Sequence, residues 1–350
     1  MRYCKGTLLS IAVFFASSFT SFSLYGVFMP LDSKTASEVV FEIERGEGGT
    51  QIAKNLKLQG LIRSEFLFHL YTFATGASSR LQAGEYALSP SLSTAGIVGK
   101  LSGGRVIEYQ IRILEGWNLH SIGNYLEERG IATKEELFFY TGVPGEDYRK
   151  NTEFAPQFDF TQQFALLKTK PSYVSLEGYL FPDTYHISKE EGVKTLVQKM
   201  LANFERQLES HLQSDGALSG RDLFETLTMA SIIEREVPHP KDKTLIAGIL
   251  SKRLENSMRL QVDATIVYVR EQNPSDFVSI EETQLESPYN TYRVDGLPLG
   301  PISNPGLESI IAAVQPKESP YWYYLSAANG ETIYSKTFEE HKTAKATYLR

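Results

Sequence analysis

The residue best placed to move a proton in this chain is Glu234, near the end of the stretch LFETLTMASIIEREV, Leu223 to Val237. Leu223, Leu227, Ala230 and Glu234 recur at i, i+4, i+7 and i+11, which on a 3.6-residue period is one helix face. Three apolar side chains therefore carry Glu234 toward whatever they pack against. A carboxyl in such a place costs free energy unless it is hydrogen-bonded, paired or protonated, and that cost raises its pKa toward the range of a general acid. The plainer outcome of the same spacing is a carboxylate at the core margin bonded to Arg253 or Arg259, and spacing alone favours it. Glu236 faces elsewhere and reads as a supporting neighbour.

The elements that must position these residues can be read outward from that stretch. Ser219 and Asp222 resemble a capping box and Val237-Pro238 supplies a stop, so a helix is predicted over 223–237. A helix over 192–208 is expected to pack beside it, and Leu245, Ile246, Ile249, Leu250 and Leu254 mark another over 242–254. The segment RLQVDATIVYVR (259–270) opens with Gln261 and Asp263, which could wall one cleft with Glu234. In SLEGYLFPDTYHI (175–187), Glu177 and Tyr179 have the composition of a sugar site, where rings take the apolar face of a pyranose and carboxylates its hydroxyls. A rigid, partly buried turn explains the same composition and is the commoner cause. Tyr289, Asn290, Tyr292 and Asn304, in the turn-rich region 287–316, are candidates to bond polar substrate groups, or else to stabilise their own turns. Asn304-Pro305 suggests an N-cap and N1 proline for a helix over 306–314. A hairpin about Asn329-Gly330 and a polar helix over 338–346 close the chain.

Upstream, FEIERGEGGTQIAKNLKLQGLI (41–62) can be laid over IRILEGWNLHSIGNYLEERGI (111–131), with Ile43 on Ile113, Gly46 on Gly116, Ile52 on Ile122, Leu56 on Leu126 and Gly60 on Gly130. Each copy reads as a strand, a glycine turn and a short helix closed by glycine. One small module over 38–140 is the expected arrangement, with 141–170 a linker or domain edge and 171–350 a further domain.

Composition narrows the function. The net charge of -7 is spread widely and leaves no basic stripe for nucleic acid. One Cys, at position 4, excludes an intramolecular disulfide framework, and six scattered His without an HExxH array argue against a held zinc. No metal and no cofactor are expected. From Leu8 to Met29 the chain carries no charge, behind Arg2 and Lys5, so a transmembrane helix over 8–29 is predicted, with residues 1–7 a cytoplasmic tail; a cleaved signal peptide is the alternative reading of the same run, against which stand its length and the lack of an AxA exit.

In order, LEGYLFPDTY (176–185), ASIIERE (230–236), RLQVDATIVY (259–268), SPYNTY (287–292) and GLPLGPISNPG (296–306) resemble the YceG-like endolytic lytic transglycosylases of bacterial cell walls. The resemblance implies a mixed α+β protein with a single-pass inner-membrane helix, a small LysM-like βα module and an α+β catalytic domain in the periplasm. Its implied partners are peptidoglycan glycan strands, the inner membrane and peptidoglycan synthases. The family's catalytic Glu falls on Glu234, while Glu177, Tyr179, Gln261, Asp263, Tyr289, Asn290 and Asn304 carry over only as motif members near a substrate cleft. Ala264 and Leu299 stand where the family commonly has Pro, and neither change removes an ionisable group. The implied reaction cleaves the bond from N-acetylmuramic acid to N-acetylglucosamine, with Glu234 first donating a proton and then accepting one as the C6 hydroxyl closes a 1,6-anhydro ring. A noncatalytic glycan-binding scaffold and a muramidase-type hydrolase using Asp263 or Glu177 remain the alternatives.

Overall fold

The computed structural model describes residues 24–34, 37–104, 106–189, 191–213, 222–237, 239–270, 278–327 and 330–348. They form two compact units, one comprising the described residues up to Tyr109 with His186–Glu191, the other Gln110–Tyr185 with Gly192–Arg350. The division falls after Tyr109 rather than near residue 140, so the first strand–turn–helix copy belongs to one unit and most of the second to the other.

In the first unit, β1 (Val39–Ile43) pairs antiparallel with β2 (Gly84–Leu88), Phe41 opposite Tyr86. Phe41 and Ile43 alternate inward along β1, as a half-buried strand requires. Helices α1 (Gly49–Leu58), α2 (Glu65–Ala74) and α3 (Thr94–Ser102) close a core that includes Ile52, Leu56, Phe68 and Leu101.

The predicted membrane-spanning helix requires correction. Among the described residues no helix is long and apolar enough to cross a membrane. Residues 8–23 of the expected span lie outside the described residues, as do residues 1–7. The remainder contributes a helical turn over 24–28, rising about 7 Å against a hydrocarbon layer of about 30 Å. That turn is engaged with the first unit: the Phe28 and Tyr71 rings meet edge-on at 5.8 Å, and Thr94 donates to the Gly26 carbonyl at 3.4 Å. The single-pass topology read from that span, and the inner membrane, the synthases beside it and the periplasmic placement that the resemblance implied, are withdrawn, since no described helix can carry them.

The strands β3 (Glu108–Arg112) and β4 (Thr184–Ser188) pair, and each contributes residues to both units. In the second unit β3 leads through Gly116 to α4 (Leu119–Glu128), reproducing β1, Gly46 and α1. Both helices end alike. Gly60 and Gly130 have φ of +69° and +64°, and Leu61 and Ile131 donate back to Leu56 and Leu126, each at 2.9 Å. This is the glycine-terminated ending that satisfies the last carbonyls.

The rest of the second unit is mainly helical: α5 (Lys134–Thr141), α6 (Gly192–Leu208), α7 (Leu223–Glu236), α8 (Pro240–Glu255), α9 (Asp263–Arg270) and α10 (Leu307–Val314). The hairpin β5 (Tyr323–Ser326) and β6 (Thr332–Ser335) and helix α11 (Phe338–Tyr348) follow. The α+β character is as predicted. Leu227, Ala230, Ile232 and Ile233 of α7 are fully buried, and α8, α9 and α10 pack around it. The helix α6 packs against α5. Asp222 caps α7, its Oδ1 accepting from Phe224 N–H at 2.7 Å; Ser219 lies outside the described residues.

Candidate active site

Helix α7 delivers Glu234 in its last turn with the side chain only 9% exposed. Oε2 accepts from the Gly306 N–H at 3.0 Å and from the Ser309 hydroxyl at 2.7 Å. Lys243 of α8, itself 4% exposed, reaches both carboxylate oxygens, at 3.2 and 3.3 Å. Gly306 is the N-cap of α10, so the carboxylate sits at that helix's positive end, where backbone donors and the helix dipole favour an anion. The arginines that spacing offered as partners lie elsewhere. Arg253 donates to the carbonyls of Trp322 and Leu260, and Arg259 pairs with Asp295.

The glycine turn of the second copy brings a further carboxyl to this place. Gly116 has φ +76°, in the region that favours glycine, and a side chain there would stand 3.5 Å from Glu234 Cγ and 3.6 Å from Arg235 Cδ. The preceding residue, Glu115, keeps an exposed side chain whose carboxyl end presses on Gly306, where an added Cβ would lie 2.0 Å from Glu115 Oε1. Its pKa is raised, first by the partial burial of that end and then by the charge of Glu234, with Lys243 opposing and Glu308 adding to the rise.

Asn304 and Glu177 hold this arrangement from beneath. Asn304 Oδ1 accepts from the N–H groups of Gly178 at 3.0 Å and Leu180 at 2.9 Å, while its Nδ2 donates to Trp117 O and Glu177 Oε1. Backbone bonds run beside them, Gly116 N–H to Asn304 O and Asn304 N–H to Trp117 O. Glu177, 1% exposed, accepts from Leu119 N–H at 3.0 Å at the start of α4. Three segments, 115–119, 177–180 and 304–306, are thereby tied into one floor. Asn304 is not the cap of α10 that its sequence position suggested, because its side chain is taken up by this floor.

The other residues singled out from sequence fall into two groups. Tyr179, Tyr289 and Asn290 are interior: Tyr179 packs on Phe204, Tyr289 on Tyr268, and Asn290 Nδ2 donates to the carbonyls of Thr283 and Leu285. Burial raises the pKa of both phenols. Gln261 and Asp263 are exposed. Asp263 accepts from the Tyr292 hydroxyl, and Glu236 accepts from Tyr324 OH at 3.0 Å and Ala264 N–H at 3.3 Å. Burial pushes Glu236 up to about 6, against the lowering effect of the Tyr324 bond. Sequence reasoning did not name Glu115, Lys243 or Ser309. The repeat alignment came nearest, since it placed Glu115 immediately before a turn glycine.

No group of His, Cys, Asp and Glu suited to a metal ion occurs among the described residues. A carboxylate held by an ammonium, a hydroxyl and a backbone N–H can take part in proton transfer and in stabilising charge.

The YceG-like family model matches residues 41–347. The chain is 31% identical to the endolytic murein transglycosylase of Bacillus subtilis over 93% of its own length and 89% of that protein's. It is 27% identical to the endolytic murein transglycosylase of Streptococcus pneumoniae, covering 98% of this chain and 63% of the other. The crystal structure of a putative YceG-like protein from Listeria monocytogenes superposes with a TM-score of 0.56 at 29% identity, over 88% of this chain and 99% of that one. With a match that takes in both units and every residue of the Glu234 site, the chain belongs to the YceG-like family.

Proposed function

We propose that the protein is an endolytic peptidoglycan lytic transglycosylase, cleaving the β-1,4 bond between N-acetylmuramic acid and N-acetylglucosamine within glycan strands and so limiting their length. The observation that carries this reading is the Glu234 carboxylate, held by Gly306 N–H, Ser309 and Lys243 at the start of α10 in a chain of the YceG-like family. In the reaction the C1 to oxygen bond of the muramic residue breaks as a proton reaches the departing sugar oxygen. The C6 hydroxyl of the same residue closes on C1 and surrenders its proton, leaving a 1,6-anhydro end. No water enters, so one proton given and one proton taken complete the cycle. In this reading Glu234 takes part in those transfers. The Lys243 ammonium and the α10 terminus fix its orientation.

Mass spectrometry of products from a defined glycan polymer tests this directly. The parent protein is expected to release anhydro-ended strands, and Glu234→Gln to lose at least about a hundredfold in rate, the usual scale for a proton-transfer group. Reducing ends in the parent digest would instead assign hydrolysis. Anhydro ends formed by Glu234→Gln at the parent rate would remove Glu234 from the chemistry.

A further inference from the structure

We propose that Glu115 is a second catalytic carboxyl of this site, the donor of the proton to the departing sugar oxygen, with Glu234 acting as the carboxylate that accepts the proton of the C6 hydroxyl. The proposal rests on the transglycosylase reading above and divides between two residues the transfers that sequence assigned to one.

The two carboxyls differ in what they are bonded to and in what they face. Each hydrogen bond found at Glu234 is one it accepts: from a backbone N–H, from a hydroxyl and from an ammonium. The ammonium and the backbone N–H can only donate, so both oxygens of Glu234 are engaged as acceptors, the arrangement that favours an anion. Its side chain is also nearly enclosed, at 9% exposed. Glu115 is the reverse. No hydrogen bond to Glu115 is found among the described residues, its side chain is exposed, and its Oε1 lies over Gly306, whose N–H holds Glu234. The charged groups around it are Glu234 on α7, Lys243 on α8 and Glu308 on α10, with Arg235 of α7 packed against the adjoining Gly116. Partial burial and the Glu234 charge favour its protonated form, as expected when two carboxyls occupy one site.

The cycle balances with these roles. Glu115 gives its proton to the glycosidic oxygen as the C1 bond breaks; Glu234 takes the proton from the C6 hydroxyl as the new C1 bond forms. Glu234 then loses its proton to solvent and Glu115 takes one up from solvent, which restores the starting state. Gly306 is part of the device because any side chain there would occupy the place of the Glu115 carboxyl.

A pair of substrates separates donor from acceptor. One is the glycan polymer, the other a short glycan with a nitrophenyl group on its terminal N-acetylmuramic residue, whose phenolate departs without protonation. In the full chain, Glu115→Gln is expected to lose at least about a hundredfold on the polymer and to stay within about threefold of the parent on the nitrophenyl substrate. Glu234→Gln is expected to fail on both. The exposed, unbonded side chain predicts that Glu115→Gln melts with the parent, and a thermal unfolding curve records it. Full activity of Glu115→Gln on the polymer, or equal losses on both substrates, overturns the proposal while leaving Glu234 in place. Full activity of Glu234→Gln on both overturns the reading beneath it.

Discussion

Glu234 and Glu236 are two residues apart on α7, yet they meet different partners. Glu234 is held by donors from α8 and the start of α10, whereas Glu236 meets Tyr324 and the first turn of α9. The contrast gives Glu236 a measurable signature. Its folded pKa is about 6 against an ordinary 4.5, so the folded protein holds that proton more tightly than the unfolded chain does. A raised carboxyl contributes stability that is fully present below about 4.5 and is lost as pH rises through about 6. Glu236→Gln keeps a neutral group in place. Relative to the parent it should gain about 2 kcal/mol between pH 4 and pH 7; denaturant unfolding at the two pH values checks it, and a constant difference would contradict it. At this scale the sequence was informative about position but not about partners. The 3.6-residue period correctly put Glu234 at the end of a buried stripe, because helix periodicity is local. Lys243 and Ser309 bond it from two other segments, and Glu115 of a third lies over the Gly306 that also holds it; no local pattern encodes that convergence.

Between elements, the floor formed by Asn304 and Glu177 does the positioning. It ties the turn that bears Glu115 to the loop that leads into α10, and so sets both carboxyls from one place. Asn304→Ala would strip partners from the Gly178 and Leu180 N–H groups and from Glu177 together. Glu177 keeps the Leu119 N–H, so two buried N–H groups are left unpaired, and at about 1–3 kcal/mol each the expected cost is about 2–6 kcal/mol. Activity should fall by more than the folded fraction does, because the Glu115 turn loses the Asn304 side-chain bond at Trp117 and keeps only its backbone bonds; thermal unfolding and glycan cleavage measured on one sample separate the two effects. Helices α6, α7 and α8 were legible from apolar spacing, and the hairpin of β5 and β6 from its turn. The cap of α10 was misread because Asn304 answers to partners more than a hundred residues earlier in the chain. A propensity for capping is a weak preference beside several buried hydrogen bonds.

Across the whole chain, the two units are interleaved in sequence: the second is built from 110–185 and 192–350, with 186–191 given to the first. Its carboxyl site accordingly draws on Glu115, well before residue 171, where the sequence placed the start of a catalytic domain. A polypeptide of residues 171–350 lacks Trp117 and Leu119 and so leaves Asn304 and Glu177 short of partners. It is expected to melt without a cooperative transition and to leave glycan uncut, whereas residues 110–350 should melt cooperatively; circular dichroism on both checks this. The membrane-spanning helix is suggested by an uncharged run behind two basic residues and by the family resemblance, whereas its last residues are engaged with Thr94 and Tyr71. The duplicated strand, turn and helix was read correctly because its glycines repeat with the same handed backbone, φ +84° at Gly46 and +76° at Gly116. Arg45 stands in the first copy where Glu115 stands in the second. The backbone shape therefore accommodates opposite charges before its glycine, and that position is a socket: what is plugged into it can differ between the two copies without disturbing the frame that presents it.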